Sequence, residues 1–390
     1  MKKWLFIGLA IVLLLSVLGV NGCGGAEVNP FLEMQRLIPD SPDTRFQVYI
    51  NDHAKIREIY DIPLPSSDAG DEMEEYIMTL AWGISGPRRF IESSFISGIG
   101  QPQNAFFSPI RRQNIGFGPQ DVDFDIVAGR IPMTSEAIKG RFNLATIDNT
   151  ISQYDYPLSP DIDSYHDITL YIWSYEVNQI HLDKRFAPPV FDFLGRGTTL
   201  AVQKDYICSI DTPELVKTMI DASQGEVASL ADNPDYSLMA TALSELGAYS
   251  VYLSDQVPCG RGTDYMDMLI AAYYDAWGEE ITRDEIIAAA GALLNPYRTF
   301  AFGIGEDEEG PFMTIVLIYD NPQQANSDVD AFEQQIESGV SLVGRPWQDM
   351  VDSLDVRAED RSLRIRIRGD IIGTWYRIFL FPDTLLLCGE

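Results

Sequence analysis

A run of 17 residues from Trp4 to Val20, apolar apart from its glycines and Ser16, follows the positive start Met1-Lys2-Lys3. A positive start, an apolar stretch and small residues beyond it are the parts of a secretory signal. An upright bilayer span needs about 20 apolar residues, so the run is short for one. The segment therefore predicts export and its own removal, leaving the fold to the residues that follow. Those come from a chain of 390 residues that is 46% apolar and 11% aromatic, enough for more than one domain-sized core.

After the run come Val20-Asn21-Gly22-Cys23-Gly24-Gly25. Here the chain resembles bacterial membrane lipoproteins, whose signal ends in an aliphatic residue, a small or polar residue, then Gly or Ala before Cys. The resemblance covers about the first 25 residues. It implies a signal peptide over 1–22 and Cys23 as the lipid-modified N-terminus, carrying fatty acyl chains such as palmitate. The mature protein would then be extracytoplasmic, anchored to the bacterial cell membrane by lipid, with 23–35 as a lipidated tether. Each buried methylene contributes about 0.8 kcal/mol, and stable anchoring takes more than one chain. Loss of Lys2 and Lys3 with the signal moves the net charge from -30 to -32, so attraction to an anionic leaflet would not hold the protein there.

The 28 Lys and Arg against 58 Asp and Glu argue against nucleic acid as a partner. Three histidines and four cysteines leave few ligands for a His/Cys metal site, and no metal or cofactor is expected. With Cys23 acylated, Cys208, Cys259 and Cys388 allow one disulfide and one free thiol, and spacing does not choose the pair. Cys208 and Cys388 lie in strand-like runs, where a cysteine serves equally as a small buried hydrophobe.

Apolar periodicity predicts an α+β protein with two sheet-containing subdomains, 36–210 and 297–390, and a mainly helical connector over 211–296. The first subdomain opens with a strand at 45–50 and helices at 52–60 and 71–84. Strands at 124–128 and 136–142 follow, then a helix at 144–152, a strand at 168–174 and a hairpin over 198–210. The second has strands at 297–304 and 312–319, a helix at 325–337, and strands at 362–368, 376–381 and 384–388, the last two turning at Pro382-Asp383. The common β-β-α-β-β-β order is what a divergent duplication would leave. In the connector, Thr212-Pro213-Glu214 opens one helix, Met266 to Trp277 stripe a second, and Thr282-Arg283-Asp284-Glu285 is a capping box for a third.

Gly195-Arg196-Gly197-Thr198 and Gly260-Arg261-Gly262-Thr263 lack the glycine spacing and lysine of a phosphate loop, and the first precedes a strand. Glu306-Asp307-Glu308-Glu309-Gly310 joins two predicted strands without the alternating ligands of a calcium loop. His53, His166 and His181 are scattered, and no serine sits on a Gly-x-Ser-x-Gly elbow. None of these patterns supplies a catalytic residue. The pattern that stands out is Arg364, Arg366 and Arg368 alternating with Ile365 and Ile367. Strand periodicity puts the three guanidinium groups on one sheet face, where they would meet an anionic ligand, an envelope component or nearby carboxylates. The sequence thus points to an envelope lipoprotein that binds a ligand or protein partner without catalysis. A solute-binding lipoprotein of a transporter, or an extracellular hydrolase using carboxylates, is the alternative.

Overall fold

The computed structural model describes residues 29–65, 72, 75–76, 115–130, 133–155, 159–177, 179–184, 196–257, 266–267, 269–271, 273–274, 280–341, 344–370 and 383–389. The first element is helix α1 (Pro30–Gln35), which the sequence placed within the tether. It forms because Asn29 Oδ1 accepts from the amides of Phe31 and Leu32 and Pro30 presets the first turn. Phe31 and Met34 are buried, so this helix is part of the packed core.

Strand β1 (Val48–Asp52) leads into α2 (His53–Ile59), capped by Asp52. Then follow β2 (Val122–Arg130), β3 (Met133–Gly140), α3 (Leu144–Ile151), β4 (Asp161–Tyr165) and β5 (Ile168–Ile172). Strands β6 (Thr199–Val202) and β7 (Tyr206–Ile210) make the expected hairpin at Lys204-Asp205. Helix α4 (Pro213–Gln224), helix α5 (Pro234–Glu245) and β8 (Ala248–Ser254) come next. Helix α6 (Arg283–Ala290) starts at the predicted capping box, with Thr282 and Glu285 bonded reciprocally. The chain continues through β9 (Thr299–Asp307), β10 (Gly310–Ile318), α7 (Pro322–Ser338), β11 (Ser353–Glu359) and β12 (Ser362–Arg368).

The molecule is α+β, as expected. Among the described residues, 12 strands form one antiparallel sheet in the order β11-β12-β10-β9-β8-β1-β2-β3-β7-β6-β5-β4. Strands from both ends of the chain thus lie in a single sheet, joined at its middle by β1 and β8. Helices cover both faces. On one, Tyr49, Phe302, Ile315 and Ile365 pack with Ile56 of α2, Ile147 of α3 and Phe332 of α7. On the other, Ile50, Ala128, Val251 and Val316 pack with Met34 of α1, Met219 of α4 and Met239 of α5. Burial on both faces explains why β8 and most of β9 and β10 read as continuous apolar runs.

Several elements differ from the sequence reading. Strand β8 falls inside the segment expected to be a helical connector. Strands β4 and β11, which the sequence reading omitted, close the two edges of the sheet. Thr384–Leu386 is a 3-10 turn and not a strand. Its cause is local: Asp383 Oδ1 accepts from the Thr384 amide at 2.7 Å, and the Thr384 hydroxyl joins Trp347 Nε1 to the Val340 carbonyl. The strand expected at 376–381, and nearly all of the helix expected at 71–84, lie outside the described residues.

Candidate functional site

The three arginines lie on β12 as alternation required. Leu363, Ile365 and Ile367 face the core that holds α7, while Arg364, Arg366 and Arg368 take the opposite face. That face is neither bare nor uniformly exposed. Arg364 is buried, at 3% exposure, and its guanidinium pairs with Glu245 at the end of α5 and with Glu359 at 2.7 Å. Arg366 stacks on Phe312, with its guanidinium carbon 3.6 Å from the ring centroid, and pairs with Asp307. Arg368 donates to both Asp307 oxygens at 2.6 Å and to the Gly310 carbonyl at 2.6 Å, and lies 3.3 Å from Glu309. The acidic hairpin tip between β9 and β10 is therefore the counter-charge of the arginine strand. The Arg368 hydrogen bonds hold the Asp307 carboxyl below its ordinary value. Four carboxylates surround three guanidinium groups, so an incoming anion would have to displace Asp307 or Glu359.

A second polar group lies at the centre of the sheet. Asp125 on β2, Asn51 on β1 and Ser250 on β8 are cross-strand partners, all buried. Ser250 Oγ donates to Asn51 Oδ1 at 2.8 Å. His53, at the first turn of α2, puts Nε2 2.8 Å from Asp125 Oδ1. Both partners are shut away from solvent, so the pair braces α2 to β2 and cannot meet a solvent-borne substrate. Beside it, burial raises the Asp52 carboxyl although the Lys55 amide bonds to it. The sequence reading missed this row; a charged residue between Phe124 and Ile126 in an apolar strand was the available signal.

The other sequence candidates are dispersed. Cys23, Cys259 and the Gly260 to Thr263 motif lie outside the described residues. Cys388 is disulfide-bonded, whereas Cys208 is a free, buried thiol that burial pushes up to about 12. Arg196 and Gly197 simply lead toward β6. His166 occupies the β4–β5 turn and lies against the end of α4. Among the described residues no helix is long and apolar enough to cross a membrane.

No family model matches the chain, and no curated protein matches it. Among solved structures, it is similar to crystal form III of TP0453, with a TM-score of 0.34 and 9% identity over 87% of this chain and 96% of that one. For crystal form I the TM-score is 0.35, with 7% identity over 89% and 97%. Likeness this distant carries no argument about function.

Proposed function

We propose that the chain is a lipid-anchored extracytoplasmic protein of a bacterial cell envelope that binds a ligand or protein partner without catalysis. The observation that carries this reading is Cys23, placed directly after the apolar run and Val20-Asn21-Gly22. The position of α1 supports it. Asn29 is six residue steps beyond Cys23, and an extended chain of that length reaches at most about 20 Å. Acyl chains on Cys23 would thus hold the α1 end of the molecule close to the bilayer. Catalysis is not favoured, because the buried His53–Asp125 pair is enclosed away from any solvent-borne substrate.

Cys23→Ser tests the anchor. In a bacterial host, the parent should take up labelled fatty acid and partition into detergent, while the variant should do neither. The mature N-terminus should be an acylated Cys23 by mass spectrometry; an unmodified N-terminus at another residue would end the proposal. The cysteine arithmetic gives a second check. With Cys23 acylated and Cys388 in a disulfide, Cys259 is the partner left by elimination, and the unreduced, denatured protein should titrate a single thiol, Cys208.

A further inference from the structure

We propose that the tip of the β4–β5 hairpin and the C-terminal end of α4 form a binding site for a divalent transition-metal ion of the zinc type, held by His166, Asp221 and Glu226. One ligand atom from each of these residues lies within 4.8 Å of the others. Two elements more than 50 residues apart in sequence bring them together, and each fixes its ligands by its own backbone. In the hairpin, His166 and Asp167 are the two turn residues, with φ of 49° and 63°. Successive positive φ values match the twist of the flanking strands and hold the imidazole at the tip. In α4, the Gly225 amide bonds back to Ala222 and the Glu226 amide to Asp221 at 2.8 Å, with Gly225 left-handed at φ 76°. That closure brings Glu226 back beside Asp221.

The donor set suits the ion. Zn²⁺ takes imidazole nitrogen and carboxylate oxygen at 2.0–2.2 Å, which separates neighbouring ligands by about 3.4 Å in a tetrahedron. His166 Nδ1 and Glu226 Oε1 are 3.7 Å apart. His166 Nδ1 donates to Gln224 Oε1 at 2.8 Å, and when the ion replaces that proton the amide oxygen stands beside it as a fourth ligand. When the ion binds Nδ1, the imidazole proton resides on Nε2. Tyr165 donates to Asp221 Oδ1 at 2.9 Å, orienting the carboxylate and leaving Oδ2 for the metal.

The surrounding charge is right as well. The last turn of α4 carries no basic residue, and helix carbonyl ends favour a cation. Lys217, one turn earlier, lies over the Tyr165 ring and 3.9 Å from Asp163.

The full chain, purified in detergent, stripped with EDTA and exchanged into chelator-free buffer, should bind one Zn²⁺ per molecule in a calorimetric titration. His166→Asn keeps a residue that tolerates the left-handed turn, and Asp221→Asn keeps an acceptor for Tyr165. Each should weaken Zn²⁺ binding by about tenfold or more. His181→Asn should leave it unchanged. Matching melting temperatures of the metal-free parent and variants would exclude misfolding as the cause, and Asp221→Asn alone decides if His166→Asn fails to fold. The proposal is overturned by unchanged affinity in both variants, by the absence of stoichiometric Zn²⁺ binding, or by Ca²⁺ competing on equal terms, since Ca²⁺ would need no imidazole.

Discussion

Asp307 shows how a residue that reads as a solvated loop acid is drawn into the fold. It takes hydrogen bonds from Arg368 and an ion pair from Arg366, and the Arg368 bonds are the main reason its carboxyl is depressed. Asp232 and Glu285 are depressed by backbone amides, those of Ser229 and Thr282. A carboxyl with a lowered folded pKa contributes stability that is fully present above its unfolded value, near 4, and lost as pH falls through the folded value. Stability should therefore decline on the acid side below about pH 4, with all three groups contributing. Asp307→Asn should flatten this limb and remove at most about 1 kcal/mol at neutral pH, because Asp307 is partly exposed and water screens the pair. Urea midpoints measured from pH 3 to 7 would show this. An acid limb identical to the parent's would mean that the arginines do not depend on Asp307.

At the scale of elements, β9 and β10 bear a tight local constraint. Gly305 on β9 pairs with Phe312 on β10 and with Ala248 on β8. A Cβ there would stand 2.2 Å from Phe312 Cζ and 2.7 Å from the Gly247 carbonyl. Gly305→Ala should therefore push the Phe312 ring out from beneath Arg366 and destabilise the protein by about 1–3 kcal/mol. Combining it with Phe312→Leu should be less than additive, because the two changes share one contact. A parent-like urea midpoint for Gly305→Ala would sink this account. The hairpin itself was legible, since two apolar runs flanked an acidic tip. Leu385 to Leu387 was not, because a short apolar run has no period long enough to separate a strand from a buried turn. Ser353–Glu359 alternates cleanly, with Leu354, Val356 and Ala358 inward, yet its outer positions are mostly charged, as suits an exposed sheet edge. The arginine alternation was read correctly from period two. What sequence could not supply was the matching set of acids, since Glu245 and Asp307 reach β12 from elements far away in the chain.

Across the whole molecule, the strand order is nearly symmetric about the β1–β8 pair. Outward from β1 run β2, β3 and then β7; outward from β8 run β9, β10 and then β12. Helices α1 and α5 precede the two central strands, while α3 and α7 follow the third strand of each half. Val48-Tyr49-Ile50-Asn51-Asp52 has its counterpart in Val251-Tyr252-Leu253-Ser254-Asp255, and the equivalent tyrosines Tyr49 and Tyr252 pair with each other, ring centroids 5.0 Å apart. This favours duplication of a unit that begins one helix and one strand before the β-β-α-β-β-β pattern read from sequence. The repeat is faint in the sequence because burial on both faces selects apolar volume and alternation, which many sequences satisfy. The symmetry places the junction of the halves in the sheet interior, where strand pairing and both cores are continuous. Unfolding should accordingly be one cooperative transition. Hydrogen exchange in increasing urea should give the same global opening free energy for β6 and β10, on opposite sides of the junction, and Tyr49→Ala should lower both together. Separate opening free energies, or a plateau between two urea transitions, would show instead that the halves are independent subdomains that merely share an edge.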